Sequence, residues 1–168
     1  MIAPKKISIL ESLARYKFLS RTQLAKLGIE KYSSAFTKHI KPLVESNFLG
    51  LIDAKYYGVG HIYYLKKKGA TFVVQQQKKE LHQIHYCINK PKLSPQTLLH
   101  RTGAIDCQIE LYGTCENEDV DILFYDRDIE TLGNTKRDNN LVRKTRILIN
   151  DRKYLEPDAI FMLSLIHI

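Results

Sequence analysis

The sequence predicts an α+β fold, and three observations predict it. Short apolar stripes at helical spacing fill the first fifty residues, punctuated by serine caps and glycine stops. Residues 51 to 65, rich in Tyr and Ile around central glycines, read as two strands and a reversal. One long helical periodicity then precedes short apolar runs of strand character.

With 168 residues, 44% of them hydrophobic and 26% charged, the chain suits one folded domain or two small ones. Its charge is divided: residues 1 to 79 hold fifteen Lys/Arg against four Asp/Glu, and residues 80 to 168 hold eleven against fourteen, for a whole-chain charge of +8. A positive module joined to a mildly acidic one suits the holding of a polyanion. No run approaches the roughly 18 apolar residues that cross a bilayer, and Lys5-Lys6 precede no signal-like segment. The expected location is the cytoplasm, with no membrane partner. Cys87, Cys107 and Cys115 are odd in number and widely spaced, which predicts reduced thiols instead of a disulfide framework. His82, His85 and Cys87 lack a closing pair for a zinc site, so neither a metal nor a cofactor is expected.

The first helix is read over Lys6 to Tyr16, where Ile7, Leu10, Leu13 and Ala14 form one stripe. Phe18-Leu19 is read as packing a turn. Ser20 and Gln23 have the spacing of a capping box, which predicts a second helix from Arg21 to Leu27 that stops at Gly28. Ser33 or Ser34 caps a third helix running to about Ser46, with Phe36, Ile40, Leu43 and Val44 inward and Thr37, Lys38 and Lys41 outward. Pro42 predicts a bend or an early end. Strands are expected at Leu51 to Lys55 and His61 to Leu65, joined through Tyr56 to Gly60 and closed by Lys66-Lys67-Lys68. Ile62, Tyr63 and Tyr64 are read as hairpin core. A fourth helix is expected from Thr71 to about Gln83.

Three short helices followed by a hairpin spell a winged helix-turn-helix over residues 1 to 89. A helix fits the major groove, and a hairpin tip with adjacent lysines suits sugar-phosphate beside the minor groove. The predicted DNA-binding residues are Ser34, Thr37, Lys38, His39 and Lys41 on the third helix. Lys55, Tyr56, Tyr57 and His61 are predicted for the wing, with Lys66, Lys67 and Lys68 as a phosphate patch.

Residues 90 to 168 read as an incomplete α/β domain entered through Lys90 to Pro95. Ser94 caps a helix opened by Pro95, with Leu98, Thr102, Ile105, Ile109 and Tyr112 at helical spacing. Strands are expected at Val120 to Tyr125, Leu141 to Ile149 and Leu155 to Leu165, with Asp126 to Asn140 as loop and Asp151 to Lys153 as turn. Asp158, at the head of an apolar strand, is the weak catalytic candidate. A Mg²⁺ site for phosphodiester cleavage also needs a second acidic ligand and a lysine-like group. The apolar ending Leu163 to Ile168 predicts a native chain that continues further.

Tyr16 to Leu24, the turn and third helix up to Leu49, and Ile62 to Ala70 together resemble the replication-relaxation family of plasmid and mobile-element proteins. Leu99-His100-Arg101 and Pro157-Asp158-Ala159 extend the likeness over most of the chain. The resemblance implies an N-terminal winged helix, a C-terminal part similar to a restriction-enzyme-like core, and a role in plasmid replication, relaxation or mobilisation. The family's further acidic strand has no counterpart here. The reading is a DNA-binding protein of that machinery or of its transcriptional control, more binder than enzyme. Its alternatives are a Mg²⁺-dependent DNA nuclease or nickase with an incomplete catalytic region, and an adaptor. Double-stranded DNA is the expected partner, with a second copy of the chain and replication or relaxosome proteins as further candidates.

Overall fold

The computed structural model describes residues 2–29, 33–91, 94–118, 120–127, 129–131, 141–143, 147–150, 153–155 and 157–164. It is a mixed α+β structure, with five α-helices among those residues and small antiparallel sheets. The chain forms two units, Met1–Thr102 and Gly103–Ile168.

Helix α1 (Pro4–Tyr16) starts two residues before the predicted Lys6, because Pro4 occupies the first turn, where a missing N–H costs nothing. It ends at Lys17, whose φ of 71 turns the chain out of the helix. The expected turn at Phe18-Leu19 is instead a strand, β1 (Phe18–Ser20), buried along its whole length. Three residues are too few to show a period, so only pairing could reveal this strand. Ser20 also caps α2 (Arg21–Lys26): its Oγ accepts from the Gln23 N–H, and Gln23 Oε1 accepts from the Ser20 N–H at 2.8 Å. Gln23 is buried, and its Nε2 donates to the Thr102 carbonyl at 3.0 Å, so both ends of the amide are satisfied.

Helix α3 (Ser33–Glu45) contains Pro42 and ends within one residue of the predicted boundary. The early stop expected at Pro42 does not occur. The proline sits near the C-terminal end, where only the Lys38 carbonyl loses its intrahelical donor. Strands β2 (Leu49–Ala54) and β3 (Gly60–Leu65) form the predicted hairpin, and β1 adds to the other edge of β3, giving the order β1-β3-β2. Ile62, Tyr63, Tyr64 and Leu65 are all buried, because the central strand is covered on both faces. Tyr63 meets Phe36 of α3 at 5.8 Å between ring centroids, and Tyr64 meets Phe18 edge-on at 6.3 Å.

The fourth helix lies earlier than predicted: α4 spans Lys67–Gln77 and stops at Lys78, which adopts the left-handed conformation. Gly69 lies so close to the Phe48 carbonyl that a Cβ would collide with it, which explains a glycine inside the first turns. The segment expected to complete this helix is a separate 3₁₀ turn, Leu81–Gln83, capped by Glu80.

Helix α5 (Pro95–Asn117) is opened by Pro95 as predicted, with Ser94 Oγ accepting from the Thr97 N–H. The boundary between the units falls inside this helix. Buried Leu98 and the Gln23–Thr102 bond tie its first turns to the N-terminal unit. In the C-terminal unit, Ile105, Gln108, Ile109 and Cys115 of α5 are buried. Strand β4 (Asp121–Arg127) follows, and then β5 (Ile129–Thr131), which falls where a loop was expected. The single strand predicted over Leu141 to Ile149 is represented by β6 (Leu141–Arg143) and β7 (Ile147–Asn150); Lys144 and Arg146 lie outside the described residues. Strands β8 (Lys153–Leu155) and β9 (Ala159–Ser164) complete the unit. They pair as three antiparallel two-stranded ladders, β4-β9, β5-β6 and β7-β8. Tyr125 stacks on its cross-strand partner Phe161 at an interplanar angle of 8°, and its hydroxyl donates to the Ala104 carbonyl at 3.4 Å. Residues 132–140 and 165–168, read above as part of a loop and an apolar ending, lie outside the described residues.

Two predictions follow from the packing around β3. Gly50 pairs opposite Tyr64, and a Cβ there would overlap the tyrosine ring; Gly50→Ala should therefore cost about 1–3 kcal/mol in urea unfolding, whereas an unchanged midpoint would contradict this packing. Burial also raises the Tyr63 and Tyr64 hydroxyls above their ordinary value of 10.0, the neighbouring Arg21 opposing this at Tyr63. Both phenols titrate at lower pH in the unfolded chain, so the stability they contribute is complete below pH 10 and is lost as pH rises through their raised folded values. Tyr63→Phe should flatten that alkaline loss in unfolding curves taken from pH 8 to 11.

Candidate nucleic-acid interface

The rotation of α3 is set by its apolar side. Phe36, Ile40 and Leu43 are buried, and the Phe36–Tyr63 contact fixes this side against the sheet. Ser34, Thr37, Lys38 and Lys41 are consequently exposed, and His39 is half-buried. Lys38 and Lys41 are three apart and share a face. Lys41 Nζ lies 3.8 Å from Glu45 Oε1 with both side chains largely exposed, at 70% and 62%. Such a pair is worth about 0.3–0.5 kcal/mol and yields readily to a stronger anion.

The last turn of α3 carries no basic residue of its own. Cations come instead from the junction of β3 and α4. Lys66 Nζ donates to Asn47 Oδ1 at 2.9 Å, and Lys68 Nζ donates to the Ser46 carbonyl at 3.1 Å while sitting 4.8 Å from the Phe48 ring centroid. Positive charge at a helix C-terminus opposes the partial negative charge of its carbonyls. Two of the three lysines read as a phosphate patch are thus also fasteners for the end of α3. Lys67, between them, is exposed.

At the other end of the hairpin, Lys55, Tyr56 and Tyr57 form a single 3₁₀ turn, closed by Gly58 at φ 75 and followed by Gly60 at φ 78. The turn is built from local bonds: Lys55 N–H to Asp53 Oδ1 at 3.2 Å, Gly58 N–H to the Lys55 carbonyl at 3.0 Å, and Val59 N–H to the Ala54 carbonyl at 3.3 Å. Tyr56 is 94% exposed and Tyr57 39%, with the two rings perpendicular and 5.4 Å apart. His61 sits opposite Asp53 in register, its Nε2 3.8 Å from Asp53 Oδ1.

The predicted residues therefore fall into two groups. Lys41, Lys66 and Lys68 gather at the C-terminal half of α3 through Glu45, Ser46 and Asn47, with Lys38 one turn back. Lys55, Tyr56 and Tyr57 stand at the far end of β2, about 17 Å along a strand of that length. Arg21 was missed by the sequence reading. Its guanidinium lies 5.4 Å from the Phe36 ring centroid, on the α2 side of α3. The Ser20 cap placed it at the start of α2, and that signal was available.

Asp158 occupies an exposed bend before β9. Cys107 is exposed, Cys115 is buried, and burial raises the Cys87 thiol against the smaller opposing influence of Lys17 and Arg101. His82 Nδ1 lies 3.1 Å from Glu80 Oε2. Among the described residues, no group of three or more His, Cys, Asp or Glu side chains comes together to hold a metal ion, and no helix is long and apolar enough to cross a membrane.

The fastening role of the lysines is measurable apart from any ligand. Lys66→Ala and Lys68→Ala should each lower unfolding stability by about 0.5–1.5 kcal/mol, while Lys67→Ala should stay within about 0.5 kcal/mol of the parent. Equal effects at all three positions would contradict it.

Compared with protein-family models, with curated proteins and with solved structures, the chain matches none.

Proposed function

We propose that the chain is a DNA-binding protein whose N-terminal unit is a winged helix-turn-helix, with α3 as the recognition helix and the β2-β3 hairpin as the wing. The observation that carries the reading is the exposed face of α3, where Thr37, Lys38 and Lys41 stand outward in a unit holding eighteen Lys/Arg against five Asp/Glu. The element order α1, β1, α2, α3, β2, β3 with a β1-β3-β2 sheet supports it. So does the length of β2, about 17 Å, which carries the hairpin tip away from the turn that follows α3. That reach suits a helix in a major groove about 12 Å wide with a tip beside the neighbouring minor groove.

In this reading Lys38 and Lys41 approach base edges or flanking phosphates, Thr37 supplies a hydroxyl, and Lys66 to Lys68 hold backbone phosphate, Lys66 and Lys68 while also securing the end of α3. Lys55 takes a phosphate at the wing. The sequence resemblance described above extends the proposal to an origin or promoter of a plasmid or mobile element, with a C-terminal unit related to a restriction-enzyme-like core.

Fluorescence anisotropy with duplexes selected from a random pool tests it. Lys38→Ala combined with Lys41→Ala should weaken binding tenfold or more and relax sequence preference. It should also reduce the salt slope by up to about 2, since each phosphate contact contributes about 0.9. Binding no tighter to duplex than to an uncharged control at low salt would overturn the reading.

A further inference from the structure

The hairpin tip carries an exposed aromatic face beyond what contact with sugar-phosphate calls for. Tyr56 leaves 94% of its surface in water, although β3 beside it buries two tyrosines almost completely. Single exposed aromatics are ordinary. The backbone beneath this ring, however, is held by three hydrogen bonds over the seven residues Asp53 to Val59, and Tyr57 stands perpendicular beside it at 5.4 Å. With the backbone of the turn already fixed, only the rotation of the side chain itself is lost when a flat partner stacks on it. Lys55, exposed and adjacent in sequence, adds a cation beside the ring.

An exposed aromatic face next to a cation, on a rigid mount, is what a nucleobase with its phosphate requires. Base pairs inside an intact duplex show their faces only to each other. Wedges that pry duplex steps apart are typically wholly apolar, such as Phe, Leu, Ile, Met or Pro. A tyrosine keeps a hydroxyl in water and suits a base that is already unstacked. The geometry points to Tyr56 as a stacking platform for an unpaired base, so that the preferred ligand is duplex DNA adjoining a single-stranded or melted stretch, with the duplex on α3 and the open strand at the wing. This inference rests on the DNA-binding reading above and narrows its substrate.

The test compares three probes on the full chain: an intact duplex, the same duplex with a short single-stranded extension, and the same duplex with an internal unpaired bubble. Each open probe carries 2-aminopurine in its unpaired stretch. The expected result is binding of the open probes about tenfold tighter than the duplex, with quenching of 2-aminopurine on stacking. Tyr56→Ala should remove both the quenching and the advantage, so that the open probes bind no tighter than the intact duplex does to the same variant, while Tyr56→Phe retains them. Since Tyr56 is exposed, Tyr56→Ala should keep the parent's unfolding midpoint, which a thermal melt verifies. Duplex binding with no preference for the open probes, or a preference unmoved by Tyr56→Ala, overturns the inference alone. Failure to bind any of the three probes overturns the DNA-binding reading beneath it.

Discussion

Coverage of both faces of β3 is the constraint on which the N-terminal unit depends. A central strand turns successive side chains to opposite sides, so Tyr63 and Tyr64 each demand a separate cover. Phe36 of α3 meets the first, while Phe18 and the bare backbone of Gly50 meet the second. Once Phe36, Ile40 and Leu43 are committed to the sheet side, α3 has no rotational choice left. Thr37, Lys38 and Lys41 must face water. The polar face is therefore a consequence of core packing as much as of the charges on it.

The same packing explains why the lysine run follows β3 immediately. Leu65 ends the strand against Leu49, and Lys66 N–H donates to the Phe48 carbonyl, which places the next side chains beside the turn that leaves α3. Lys66 and Lys68 then meet Asn47 and the Ser46 carbonyl. An interaction over about twenty residues of sequence thus supplies the positive charge that the last turn of α3 lacks. Stability and any electrostatic pull on a polyanion are coupled through the same two ammonium groups.

Much of this was legible in the sequence, and the exceptions have physical causes. The capping box at Ser20 and Gln23, the apolar side of α3, the proline start of α5 and the buried hairpin tyrosines all follow from local chemistry. Strand β1 was not legible, since its three residues gain their identity only from pairing with β3. The start of α4 was misplaced because the lysine run was read as closing the hairpin and Gly69 is a poor local signal for a helix; Gly69 is explained only by the Phe48 carbonyl pressed against it. The outward set Thr37, Lys38 and Lys41 could be read from spacing, but the tethering of Lys66 and Lys68 could not. Partners nineteen and twenty-two residues apart in sequence are visible only in the fold.

In the proposed reading the outward face of α3, held by the Phe36–Tyr63 contact, receives the duplex. Protein footprinting by hydroxyl radicals, with and without a bound duplex, tests this most directly because it reads each side chain's access to water. The account predicts protection concentrated on Thr37 to Lys41 and on Lys55 to Tyr57, with Ile62 to Leu65 unreactive in both states. Protection confined to the strands of the C-terminal unit, with α3 equally reactive in both states, would contradict it.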